Sequence, residues 1–532
     1  MRRNNKKMQF ALPSLSALTL AVSMAHIPMA QAIEFAGGEV EWNNIVRYNL
    51  GMRMDKPDSA LAYNTGTDES TSSYDRHDIV TNRVDWYSEL GWDYQGLFGL
   101  KLSGAAWYDN AFNDKVKTGT NPNSVSSYDD NRFSSTTRRF HRGLSAELLD
   151  AYAYHNFSIG NVAGDIKVGR QTNLWGEAMI LSTHSVSYSQ APVDGLKASV
   201  APGADAREVS MPVGQVHVNL QATPNLALAA QYFFEFEPTR LTQGGTFLAS
   251  SDILLDGPDS MNGGLRNKGV RKASNAGDWG VSARYFYEPL NTTFGAYYRE
   301  FTERSPWVST NAAEGTYEFI YPENAKLFGL SASKLIGSAS VGMELVHRKN
   351  TALNSTLSNG SHDVARGDTY HVLINAVQNF GPSSLWSSAS LTGEVAFAHL
   401  DKVTKNESNF NGLCSDRGWD VERGCATRNV SQATIRFSPT WTAIAEGWDL
   451  GFDTAITYGL HGNGAMSGGG NEKAGSYSFG PKLTYNANHE FKLNYIDYLA
   501  TKKNNPAGGV LYSNGSQLQD RGWLSFTYTG QF

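Results

Sequence analysis

Beyond residue 32 this chain has no long apolar run. No stretch approaches the roughly 18 consecutive apolar residues that a membrane helix requires, so transmembrane helices are excluded. Cysteine is scarce. Cys414 and Cys425 are the only two, too few for a zinc site, and no histidine cluster joins them. Basic runs are missing as well. Acidic residues outnumber basic ones, 51 to 45, which gives a formal net charge of -6. An acidic chain without a Lys/Arg-rich segment is not a nucleic-acid binder. No phosphate-cradling loop and no haem or flavin signature occurs, so neither cofactor nor metal is expected.

Aromatic residues are plentiful: 25 Tyr, 25 Phe and 12 Trp. At that number they fit girdles at two membrane interfaces as well as an aromatic-rich soluble β-protein. The N-terminus carries Arg2, Arg3, Lys6 and Lys7, then an interrupted apolar stretch to Met29. Ala30-Gln31-Ala32 follows as a cleavage site. Residues 1–32 therefore read as a cleaved secretory signal peptide, leaving one domain over 33–532. Removing four cations and no acids moves the net charge from -6 to -10. In an oxidising envelope, Cys414 and Cys425 read as one disulfide closing a small polar loop.

Period-two alternation recurs along the remaining chain. Trp42, Val46, Tyr48, Leu50 and Met52 share one face of a strand, and Asn43, Arg47, Asn49 and Arg53 share the other. The last segment sets Leu524, Phe526, Tyr528 and Phe532 against Trp523, Ser525, Thr527, Thr529 and Gln531. A terminal aromatic on such a strand resembles the assembly signal of outer-membrane barrels, here Tyr528 and Phe532. The connections alternate strictly between tight turns, as at Gly96 and Gly337, and long polar stretches, as at 172–207 and 238–277. That rhythm predicts an all-β fold: a transmembrane antiparallel β-barrel of about 18 strands, with 16 to 20 fitting the pattern. Short turns and both termini fall on the periplasmic side. One or more of the long outer loops folds into the lumen.

The apolar face must then point to lipid. Arg47, Asp85, Glu89, Lys101, Glu235, Arg284, Glu344, Glu394, Arg436, Asp453 and Lys482 line the interior on this reading. So many ionisable groups fit a wet lumen or a polar plug, not a dry core.

The run Gly169-Arg170-Gln171-Thr172-Asn173-Leu174-Trp175-Gly176-Glu177, with Pro192-Val193-Asp194, Glu237-Pro238-Thr239-Arg240-Leu241 and Tyr321-Pro322-Glu323-Asn324, resembles the Gram-negative family catalogued as domain of unknown function 1302. Ala178 departs from it, because the usual residue there is small and hydroxylated. The resemblance implies an outer-membrane β-barrel and hints at lipid- or steroid-like compounds. It also implies partners: a periplasmic lipoprotein and an efflux-type inner-membrane transporter, beside the barrel-assembly machinery and outer-membrane lipids.

Position counting makes 172–207 the third outer loop, and its place resembles that of the loop which in general porins folds inward and narrows the pore. The resemblance makes Arg170, Trp175 and Glu177 candidates for a constriction. Opposite charges there would set a transverse field and filter solutes. The alternative is a structural role for Arg170 and Glu177, bonded to each other or to the wall. The His77-Asp78 and His362-Asp363 pairs read as solvated loop residues, since adjacency makes no catalytic geometry, and no enzyme is expected. The expected function is a passive porin-like outer-membrane channel for a small solute. The alternative is a non-conducting envelope component that works with the lipoprotein and transporter.

Overall fold

A computed structural model of the chain describes residues 33–201, 206–515 and 517–532. The expected signal peptide, 1–32, lies outside the described residues. Among those described, eighteen antiparallel strands close into one barrel. They are β1 (Gly38–Arg53), β2 (Ile79–Tyr94), β3 (Phe98–Asp109), β4 (Gly143–Ile159), β5 (Val162–Gln171), β6 (Val213–Thr223), β7 (Leu226–Phe233), β8 (Trp279–Tyr287) and β9 (Thr292–Phe301). β10 (Ala325–Ile336), β11 (Ala339–Ala352), β12 (Arg366–Phe380), β13 (Ser388–Lys405), β14 (Asn429–Ala445), β15 (Trp448–His461), β16 (Gly475–Tyr485), β17 (His489–Leu499) and β18 (Trp523–Gln531) complete it.

Each strand pairs with the next in sequence, and β18 returns to β1 with Tyr528 opposite Tyr48. Beyond β18, Asn44 and Phe532 exchange backbone hydrogen bonds of 2.7 and 3.0 Å. Closure pairs the last strand with the first, so no terminal strand of the sheet is left unpaired. The short turns all fall at the end that carries both termini, and Gly337 makes one of them with φ +61°, a backbone that favours glycine. The third long connection runs on through Pro212, further than the expected 207.

Alternation decides the two faces. Leu330, Leu345, Phe397 and Ile435 are exposed on the outside, whereas Arg47, Asn49, Asp85, Arg299, Glu344 and Arg348 are buried on the inside. An Arg at the bilayer midplane costs roughly 2–4 kcal/mol on the lipid face, which fixes this register. Tyr48 needs a correction. It sits on the outer face but is only 2 % exposed, because Tyr528, Val84 and Phe526 cover it, so it makes little contact with lipid.

The extracellular end is filled by loops. The short helix Asp68–Ser72 of the first loop is capped by Asp252 of the fourth, which accepts from the Glu69 and Ser70 amides at 3.0 Å each. Arg521 of the last loop donates to the Phe247 carbonyl at 2.8 Å and to Thr71 Oγ1 at 2.9 Å. Phe247, Leu248, Leu196, Val200, Val80 and Trp523 pack beneath as an apolar cluster. The seventh loop carries the Cys414–Cys425 disulfide, with Cα atoms 5.2 Å apart.

Candidate functional site: the in-folded third loop

The loop between β5 and β6 crosses the lumen and is fastened to the opposite wall by two carboxylates. Glu344 on β11 accepts from the amides of Glu177, Ala178 (2.9 Å) and Val186 (2.6 Å). Glu394 on β13 accepts from the amides of Met179 (2.8 Å), Ile180 (3.3 Å) and Leu181. A carboxylate offers about four lone-pair sites, so one side chain can hold several amides that the loop backbone would otherwise leave unpaired. Gly176 lies against Glu344 with φ +98°, and a Cβ there would collide with the carboxylate.

Arginines hold the carbonyls. Arg299 on β9 donates to the Val186 and Tyr188 carbonyls at 2.9 and 2.8 Å, and Arg348 on β11 to the Thr183 carbonyl at 3.0 Å. His184 and His371 face each other with Nδ1 atoms 3.0 Å apart, and Gln432 lies 2.7 Å from His184 Nε2. The loop then turns back across the barrel. Asp194 meets Arg240 of the fourth loop at 2.6 Å, and Glu208 meets Arg47 on β1.

Trp175 and Glu177 lie inside the barrel. The Trp175 amide donates to Gln190 Oε1 at 2.8 Å, and its ring sits among His217 and Tyr297 of the inner wall. Glu177 Oε1 is 3.5 Å from the Arg284 guanidinium and accepts from Ser331 at 3.2 Å. Arg284 is half exposed, and with Trp175, Asp165 and Asn219 it lines a cavity of about 930 Å³ that reaches the turn at Gly96 and Leu97. A second cavity of about 510 Å³ is bounded by Glu89, Lys101, Asp150 and Lys167.

Arg170 does not join this group. It still belongs to β5, and alternation places it with Val168 on the outer face. There it pairs with Glu235 at 2.9 Å and donates to the Pro212 carbonyl at 3.2 Å, near the rim. Its distance from Glu177 in sequence is short, but the strand ends between them. Glu235 is thereby drawn to the rim as well and is not a lumen residue. Of the remaining lumen candidates, Asp85 is engaged by Arg83 at 2.9 Å and Glu89 by Lys101 at 3.0 Å. Arg436 is exposed on the inner wall opposite Thr392. The anchors Arg299 and Arg348 and the partner Glu208 were not singled out in the sequence. Both arginines occupy inward positions of alternating strands, which is a usable signal. Glu208 has none, because it lies in a loop.

Among the described residues, no group of three or more His, Cys, Asp or Glu could hold a metal ion. His362 is 2.6 Å from Glu318 in the loop layer, and Asp363 pairs with Arg366.

A closed eighteen-stranded barrel with an apolar outside, a charged inside and a loop folded into its lumen is an outer-membrane β-barrel of Gram-negative type. The chain belongs to the DUF1302 family, described as a protein of unknown function, whose model matches residues 12–532. No curated protein matches it in sequence. Among solved structures it is similar to the outer-membrane channel DcaP of Acinetobacter baumannii, at 12 % identity over 95 % of this chain and 100 % of that one, with a TM-score of 0.39. It is also similar to OccAB1 of the same organism (9 %, 93 % and 96 %, 0.44). A third is OpdK of Pseudomonas aeruginosa solved with vanillate (10 %, 93 % and 98 %, 0.42).

Proposed function

We propose that this protein is a passive outer-membrane channel in which the third loop sets what passes. The observation that carries the reading is the fastening of residues 177–186 to Glu344 and Glu394, which leaves Glu177 and Arg284 facing each other beside a large lumen cavity. An acid and a base facing each other in the lumen act on passing ions more strongly than the same charges in bulk water. Small polar solutes suit that filter. On this reading movement is passive and follows the gradient.

Planar-bilayer recording tests it. The parent should conduct, Glu177→Gln should shift selectivity toward anions, and Arg284→Gln should shift it toward cations. Parent-like selectivity in both variants would remove the loop from the filter.

The loop plug supports a second reading, a non-conducting component working with a periplasmic lipoprotein and an inner-membrane transporter. Arg521 holds the plug, and so does Arg53, which donates to the Thr71 carbonyl at 2.8 Å and pairs with Asp520 at 2.9 Å. A parent that never conducts would favour it.

A further inference from the structure

We propose a lateral binding site in the barrel wall for a single-chain amphipath with a hydroxylated carboxylate head, entered from the outer leaflet beside β4. The wall is incomplete there. β4 has 17 residues and β5 only 10. β4 pairs with β3 as far as Gly143, but with β5 only from Ile159 to Ala151. Among the described residues no strand pairs with the other edge of 143–150. An open sheet edge leaves backbone N–H and C=O groups for something else to meet, and barrels ordinarily have none. On the outer face of this stretch Leu144 and Leu148 are 84 % and 56 % exposed.

Behind the edge lies a cavity of about 380 Å³. That volume is within the usual range of small-molecule pockets. Leu148, Phe140 and Met211 give it an apolar side. Its polar side is unfinished. Gln243 Oε1, Tyr321 Oη and Arg170 Nε are buried atoms with no hydrogen-bond partner, and all three residues line the cavity. Gln243 and Tyr321 are only 1 % and 6 % exposed, so bulk water does not serve them. Buried polar groups in native proteins are nearly always paired, and orphans gathered in one cavity point to a missing partner.

The missing partner has a definite chemistry. Arg170 Nε and the Tyr321 hydroxyl donate, which suits a carboxylate. Gln243 Oε1 accepts, which suits a hydroxyl near that carboxylate. The lining carries four basic groups, Arg139, Arg170, Arg240 and Lys272, against three acidic ones, Glu147, Glu237 and Asp256. Arg240 is already held by Glu147 and Asp194 and lies over the Phe140 ring at 4.8 Å, so it braces the apolar floor. The alkyl part of the ligand would leave through the gap past Leu148 into lipid. This site is separate from the lumen filter and does not depend on it.

The test is displacement of dansyl-undecanoate from the full chain in lipid nanodiscs by 3-hydroxydodecanoate. Saturable displacement is expected, with dodecyltrimethylammonium failing to compete. Tyr321→Phe, which removes one oxygen, and Arg170→Gln should each weaken binding about tenfold, the loss expected for one unmet polar group. Gln243→Leu should erase the preference for 3-hydroxydodecanoate over dodecanoate. Heat-modifiable migration verifies that each variant is folded. No saturable binding by the parent, or parent-like binding by folded Tyr321→Phe and Arg170→Gln, overturns the proposal. Bilayer conductance of the same preparations keeps the channel reading apart: binding without conductance refutes the channel only, and conductance without binding refutes this site only.

Discussion

Arg47 on the first strand and Glu208 in the third loop form a two-point ion pair inside the barrel, with N–O distances of 2.9 and 2.7 Å and each side chain 2 % exposed. The pair ties the returning arm of the loop to the wall near the seam where β1 meets β18. Breaking a buried pair by removing one member typically costs about 3–5 kcal/mol, because a charge is left without its counter-charge. Glu208→Gln should therefore lower the urea midpoint of the folded barrel in vesicles. Replacing both residues by Met should restore most of the loss. A double variant as unstable as the single one would show that the pair is not what holds this arm.

The carboxylate of Glu344 can be tested more gently. Glu344→Gln keeps the shape but leaves one acceptor oxygen where there were two, and removes the charge. Hydrogen bonds to a charged group contribute about 1.5–3 kcal/mol each. Amide exchange across 177–186 should accelerate tenfold to a hundredfold, while β11 itself stays protected. Hydrogen-exchange mass spectrometry reads both in one experiment.

A pH effect is expected in the extracellular plug. Burial, and then the charge of Asp252, push the Glu69 carboxyl up to about 8 from its ordinary 4.5. Burial raises Asp252 as well, from 3.8 to about 7. One oxygen of Glu69 is buried without a partner, as suits a protonated acid. The folded plug thus holds protons that the open plug releases. Its stability is greatest below about pH 4.5 and falls as pH climbs toward 8. Protection factors for 68–73 should be higher at pH 5 than at pH 8.5. Glu69→Gln should flatten this dependence and leave the loop better protected than the parent at pH 8.5. An unchanged pH dependence in that variant would exclude Glu69 as its source.

Phe532 closes the ring twice over. Its backbone exchanges two hydrogen bonds with Asn44, and its side chain packs against the Val46, Tyr48 and Tyr528 cluster. Deleting it removes both, each hydrogen bond contributing about 0.5–1.5 kcal/mol net. The heat-modifiable barrel band should shrink, with unassembled chain accumulating in the periplasm. Normal yield would mean that the seam closes without it.

The strands were legible because a barrel in lipid allows one solution per residue, in or out, and Arg47, Asp85 and Glu394 obey it. The eighteen strands and nine long loops follow from that rule and from turn residues. What the loops do was not legible. An inward glutamate such as Glu344 looks the same in sequence whether it faces water or the amides of a distant loop. Arg170 was misplaced for a different reason. It is close to Glu177 along the chain, but it still obeys the alternation of β5, which sends it outward. Tyr48 was misjudged through its neighbours, since alternation gives the face of a residue and not how densely that face is covered.

The position of the two anchoring glutamates has a temporal consequence. The loop leaves the wall after Gln171, yet Glu394 lies 213 to 215 residues further along the chain than the amides it receives. Contacts of such separation form late, because the entropy of closing a long loop must be met before they contribute. During assembly the loop therefore cannot be fastened at Glu394 until the thirteenth strand is seated. A half-built sheet carries the loop as a loose arm on an open edge. Glu394 becomes available five strands before β18 returns to β1, so an intermediate that pauses before the thirteenth strand has neither a closed wall nor a fully fastened loop.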